Sequence, residues 1–149
     1  MFSFIKNNRS QGEIITRKLL KILLRLPAPL IAAFIWFLSS QSVLPQLKGI
    51  LSFDKFQHLL AYAALAAAAG LWASSAFWKR RPVIALLLIA LVSSAYGAID
   101  EFHQYFVPGR DCNVWDWLAD TLGAILGAAA AVIVLPRLLD KVEGNCKSK

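Results

Sequence analysis

Residues 117–135 read Trp-Leu-Ala-Asp-Thr-Leu-Gly-Ala-Ile-Leu-Gly-Ala-Ala-Ala-Ala-Val-Ile-Val-Leu, and no charged residue follows Asp120 until Arg137. At about 1.5 Å per residue a helix of this length covers a hydrocarbon core of roughly 30 Å, so the stretch is a membrane span. Gly123 and Gly127 form a G-x-x-x-G, which lets a second helix approach closely. Asp116 and Asp120 extend the same stripe at helical spacing. The stripe predicts a helix whose small-residue face meets a neighbour and whose acids sit near one mouth of the bundle.

Three further apolar segments surround it. One runs from Leu26 to Leu44, with Pro27 and Pro29 at its start, where proline disturbs a helix least. A second covers Phe56 to Phe77 and is rich in alanine, including Ala66 to Ala69 before Gly70. The third covers Pro82 to Ile99. The chain has 149 residues, of which 58% are hydrophobic, so four spans leave no room for a separate soluble domain. The expected fold is all-α: an integral membrane four-helix bundle with an N-terminal amphipathic interfacial helix. Residues 1–26 form the basic segment, 27–136 the four-span domain and 137–149 a tail. In the first segment Arg17, Lys18, Lys21 and Arg25 share a face, and Leu19, Leu20, Ile22, Leu23 and Leu26 cover much of the rest. That pattern suits a helix lying along an anionic leaflet, or a charged lead-in to the first span. No A-x-A site follows the first apolar run, so it reads as an uncleaved anchor.

The net charge of +7 does not point to nucleic acid, because the basic residues flank apolar segments. With both termini in the cytoplasm, thirteen lysines and arginines lie inside and three (Lys48, Lys55 and Arg110) lie outside. The positive-inside rule therefore predicts a multi-pass protein of the bacterial cytoplasmic (inner) membrane with cytoplasmic termini. Tryptophans 36, 72, 78, 115 and 117 read mostly as belt anchors near span ends. Cys112 and Cys146 fall on opposite sides in this topology and make neither a disulfide framework nor a metal cluster.

The acids gather on the outer side. Asp54, Lys55, His58 and Tyr62 share one face of the second span, and Tyr96, Asp100, His103 and Gln104 share one face of the third. A Pro108-Gly109 turn signal then presents Arg110, suited to gripping a carboxylate or phosphate. If the group is catalytic, His58 is the proton carrier and Asp100 or Asp116 its orienting partner. Asp54, Lys55, Tyr62, Glu101, Gln104, Arg110 and Asp120 are the expected ligand contacts. Plainer readings stand beside these. Asp54 and Asp116 could cap helices, Lys55 could form a structural ion pair, and His58 could be a satisfied polar core residue. His103 and Asp111 would face solvent, and Ser39 to Ser42 would be packing or the rim of the site. The Asp/Glu/His group could in principle bind a divalent ion, but there is no H-E-x-x-H, C-x-x-C, G-x-S-x-G or Walker pattern, so neither metal nor cofactor is expected.

Asp54-Lys55 with His58 and Tyr62, Asp100-Glu101-x-x-Gln104-x-Phe106, Pro108-Gly109-Arg110, Asp116 with Gly123, and Ser39-Ser40-Gln41 together resemble the VanZ-like membrane proteins. The resemblance covers roughly residues 30 to 130. It implies a small multi-helix membrane protein. The founding member is associated with low-level resistance to the glycopeptide teicoplanin, and no established reaction or ligand carries over. Many members have asparagine where this chain has Asp120. The expected function is therefore that of an envelope protein with a polar extracytoplasmic pocket for a lipid head group or cell-wall component. The alternatives are an enzyme acting on an envelope lipid or lipid-linked precursor through His/Asp acid–base chemistry, and a purely structural membrane protein. Membrane lipids are the expected surroundings, and no nucleic-acid partner is expected.

Overall fold

The structure, a computed structural model, describes residues 2–42 and 51–143. Its helices are α1 (Phe2–Arg25), α2 (Pro27–Ser39), α3 (Leu51–Ala69), α4 (Ser75–Arg80), α5 (Pro82–Gln104) and α6 (Val114–Glu143), and no strand occurs among the described residues. Among the described residues three stretches are long and apolar enough to cross a membrane: Ile15–Ser39, Pro82–Gln104 and Val114–Glu143. The faces they leave exposed are large and hydrophobic, with Leu30 and Phe34 on α2, Leu87 and Leu91 on α5, and Ile133 and Val134 on α6. Such surfaces suit lipid and not water, and the chain is a multi-pass membrane protein.

The first crossing differs from its expected bounds. Leu26 keeps helical φ and ψ of −62° and −34°, so α1 runs directly into α2. Pro27 and Pro29 interrupt the hydrogen bonds there without bending the chain into a loop. Pro29 has no N–H to offer the Arg25 carbonyl four residues back, and Trp72 Nε1 donates to that carbonyl instead, at 3.1 Å. The Arg25 guanidinium lies over the same indole, 5.7 Å from its centroid. Helix α2 ends at Ser39, and the predicted continuation to Leu44 lies outside the described residues beyond Ser42.

The second predicted span is also shorter than expected. Helix α3 stops at Ala69, passes through a 3-10 turn at Gly70–Trp72 and breaks where Ala73 turns extended. Ser74 then caps α4 by accepting from the Phe77 N–H at 3.2 Å. The reason lies in tertiary packing. Trp78 is buried and donates its indole N–H to the Gly70 carbonyl at 3.1 Å, in an apolar cluster with Ala85, Ala131, Leu135 and Leu139. Trp78 is thus a core residue and not a belt anchor. The polar opening of α3 (Asp54, Lys55, Gln57 and His58) sets it apart from the three apolar crossing stretches.

Residue pairings show how the helices run. Lys55 meets Asp116, His58 meets Asp120, Leu59 meets Gly123 and Ala63 meets Gly127, so α3 and α6 are parallel. Ala32 meets Tyr96 and Ser39 meets Asp100, so α2 and α5 are parallel as well. Helix α5 runs antiparallel to α6, tied by a Ser94–Thr121 hydroxyl pair at 2.7 Å and by Trp117 Nε1 donating to Ser94 O at 3.1 Å. The α3–α6 contact is the most extensive in the molecule. A side chain at 123 or 127 would overlap the backbone carbonyls of Leu59 or Ala63, so only glycine permits this approach.

Gly127→Ala is therefore expected to destabilise the fold by about 1–3 kcal/mol in a detergent unfolding titration. Gly12→Ala, at a position with open space around it, should leave stability unchanged or slightly raised.

Candidate functional site

The parallel register of α3 and α6 places two polar pairs in series above the glycine contact. Lys55 Nζ lies 2.5 Å from Asp116 Oδ1, and His58 Nδ1 lies 2.9 Å from Asp120 Oδ1. Burial increases along the series. Asp54 is exposed, Lys55 and His58 are half-buried, and Asp120 is fully buried at 0% exposure. One turn further along α3, Tyr62 is also buried, at 1%.

Helix α5 closes the other side. Gly97 faces this group: a side chain there would stand 3.0 Å from Asp120 Oδ2 and 3.2 Å from Tyr62 Cε1. One turn beyond, Asp100 (0% exposed) accepts from Ser39 Oγ at 2.7 Å and from Gln104 Nε2 at 3.2 Å, both on Oδ2. Glu101 is buried too. Its Oε2 accepts the Asn113 N–H at 2.9 Å and its Oε1 accepts from Gln104 Nε2 at 3.4 Å. Three buried atoms in the group have no hydrogen-bond partner among the described residues: Asp100 Oδ1, Asp120 Oδ2 and the Tyr62 hydroxyl. Leaving such atoms unmatched inside a membrane bundle costs several kcal/mol, in contrast to Asp140 among the described residues of the opposite end. There Asp140 is satisfied by Lys79 and by Ser75 Oγ, the latter at 2.5 Å.

The α5–α6 connection holds the group together. Residues 107–110 form a tight turn closed by Arg110 N donating to Val107 O at 3.1 Å, with Gly109 at a φ of 81°. Proline followed by a left-handed glycine is what a type II turn requires. The Arg110 side chain then reaches back to the end of α2, where Nη2 donates to Leu38 O at 2.9 Å and Nε to Gln41 O, two residues past the helix, at 3.2 Å. A guanidinium on carbonyls at and just past the end of α2 suits the negative end of its dipole.

The structure thus brings together Asp54, Lys55, His58, Tyr62, Asp100, Glu101, Gln104, Asp116 and Asp120, all named from the sequence. It also assigns partners that the sequence left open. The carboxylate on His58 belongs to Asp120, and not to Asp100 or Asp116. Asp116 sits in the first turn of α6 but does not cap it, because Asn113 does: Asn113 Oδ1 accepts the Trp115 N–H at 3.0 Å. Asp54 likewise lies inside the first turn of α3, which begins at Leu51. His103 does not face solvent freely but stacks on Trp36, ring centroids 4.0 Å apart. Ser39, Gly97 and Asn113 complete the group. Their signal in the sequence was slight: a serine among serines, one glycine in a helix, and an asparagine ahead of an apolar run.

The sequence pattern of the VanZ/LLP1 family matches residues 2–135. The chain belongs to the VanZ/LLP1 family. Neither the curated proteins nor the solved structures contain a significant match to it. For this VanZ/LLP1 protein the chemistry available is that of a graded polar series. With Nδ1 of His58 turned to Asp120, Nε2 is the ring atom able to exchange a proton. His58, Glu101 and Asp120 each bring one donor atom within 4.8 Å of the others, and Asp54, His58 and Asp116 do the same.

Because Arg110 is engaged by two carbonyls, its replacement should act on the fold. Arg110→Ala is expected to lose about 1.5–3 kcal/mol of unfolding free energy. Arg110→Lys, which lacks the two-pronged planar donor, should recover only part of that loss in the same titration.

Proposed function

We propose that this VanZ/LLP1 protein is a four-span protein of the bacterial cytoplasmic membrane whose extracytoplasmic polar end holds the head group of an envelope lipid or lipid-linked cell-wall component. The fourth crossing is α3. Packed in parallel along α6, it shares the depth of that span despite its polar first turns. The strong bias of lysine and arginine supports an orientation with both termini, and the basic face of α1, on the cytoplasmic side. The series from Asp54 to Asp120 then opens outward.

The observation that carries the reading is the pair of fully buried carboxylates, Asp100 and Asp120, each with one oxygen unmatched, in the same group as the half-buried Lys55 and His58. A bundle held together for its own sake would satisfy those oxygens, as it does at Asp140. An acceptor-rich interior entered past Lys55 and His58 suits a head group that offers hydroxyl or amine donors inward and an anionic group outward. The family association with glycopeptide resistance is consistent with a cell-wall component as the guest.

A second reading is favoured by the 2.9 Å contact between His58 and Asp120. A carboxylate that orients an imidazole is the arrangement of a general base, so an enzyme acting on the same class of envelope lipid is the alternative.

Native mass spectrometry of detergent-purified protein tests both. Wild type should retain an envelope lipid or cell-wall fragment, and Lys55→Gln and His58→Gln, which keep a donor for Asp116 and Asp120, should lose it at near-unchanged melting temperature. A wild-type protein that retains no such species, with both variants melting well below it, would overturn the proposal. Turnover of a lipid-linked precursor that disappears in folded His58→Ala would select the enzymatic reading.

A further inference from the structure

We propose that His58, Glu101 and Asp120 bind one first-row divalent cation, of the Mn²⁺ or Zn²⁺ class, at the deep end of the polar series. The site joins three helices, since His58 stands on α3, Glu101 on α5 and Asp120 on α6. One donor atom from each falls within 4.8 Å of the others. Ligands around a single cation at about 2.0–2.2 Å must lie within about 4.4 Å of each other, so a small inward closure completes the set.

Charge balance supplies the second reason. Asp100, Glu101 and Asp120 are buried together, and the lysine closest in the series, Lys55, is paired with Asp116. Asp120 is wholly buried and presents Oδ2, which has no partner, toward Gly97 of α5, one helical turn below Glu101. Gly97 lets the α5 backbone pass close beside that oxygen, where the Cβ of any larger residue would crowd it at 3.0 Å. One imidazole nitrogen with carboxylate oxygens is a mixed donor set, which favours Mn²⁺ or Zn²⁺ over the all-oxygen preference of Ca²⁺ and Mg²⁺. The outer trio of Asp54, His58 and Asp116 is a weaker candidate, because Asp54 is exposed and Lys55 already occupies Asp116.

The cation also sharpens the proposed function, on which this part of the inference rests. An acidic interior repels phosphate, whereas the same interior holding a dication attracts it. The guest would then turn a phosphate inward to the metal, in place of the hydroxyl or amine donors that the metal-free interior suits, and its capture would depend on the metal.

The test uses the full chain, delipidated and treated with chelator, titrated with Mn²⁺ alone and followed by the electron paramagnetic resonance of free Mn²⁺. Wild type should take up one equivalent in a saturable manner, and Zn²⁺ should displace it. Glu101→Gln and Asp120→Asn should each weaken binding by about 10-fold or more while melting like wild type in chelator. Absence of saturable uptake by folded wild type would overturn the inference. So would undiminished uptake in both variants, or a loss produced by Asp54→Asn in their place. Because lipid is absent from the titration, a protein that binds no Mn²⁺ yet retains a head group in native mass spectrometry would sink the cation and leave the head-group reading standing. The reverse result would sink only the head group.

Discussion

The carbonyls of Leu59 and Ala63 occupy the space that side chains at 123 and 127 would fill, and the rest of the structure depends on that contact. Lipid supplies no hydrophobic drive for helix association, so close backbone approach and matched polar groups must hold such helices together. Once α3 and α6 lie this close and in parallel, their register is set. Residues a turn or two earlier on each helix, Lys55 with Asp116 and His58 with Asp120, are then brought face to face. The glycine stripe and the polar series are successive parts of one interface. Gly97 repeats the device on α5, admitting that helix close enough for Glu101 and Asp100 to join the group.

The two ends of the molecule use their polar groups differently. At the basic end Asp140, Ser75 and Lys79 satisfy one another, and Trp78 donates to Gly70 in the apolar core beside them. At the acidic end Ser39, Gln104 and Asn113 satisfy some carboxylate oxygens and leave others without donors. Arg110 gives two of its donors to the carbonyls of Leu38 and Gln41, at and just past the end of α2, although acids lie on the helices that flank its loop. Unmatched acceptors held in place by matched ones are what a preorganised binding site for a cation or a donor-rich guest requires.

Much of this was legible in the chain. The G-x-x-x-G at Gly123 and Gly127 foretold a close helix neighbour, and helical spacing grouped Asp116 with Asp120 and Lys55 with His58 and Tyr62. The Pro108-Gly109 pair foretold its turn. What spacing could not supply was the partner across the interface. The choice of Asp120 over Asp100 or Asp116 for His58 depends on the register of α3 against α6. The role of Arg110 depends on where α2 ends, and the end of α3 depends on the burial of Trp78. Each is a contact between helices distant in sequence, invisible to a pattern read along one helix at a time. The metal-ligand motifs sought in the sequence place their ligands on one segment, so a trio drawn from three helices escapes them.

The central claim is that the buried carboxylates are kept for a guest and not for stability. The unfolding free energy of the Asp100→Asn/Asp120→Asn double variant, measured in chelator and in delipidated detergent, tests it most directly. Amides remove two buried charges and keep nearly the same shape, so stability equal to or above wild type is the expected result. A loss of about 3 kcal/mol or more would show that the charges hold the helices together, and would contradict the account.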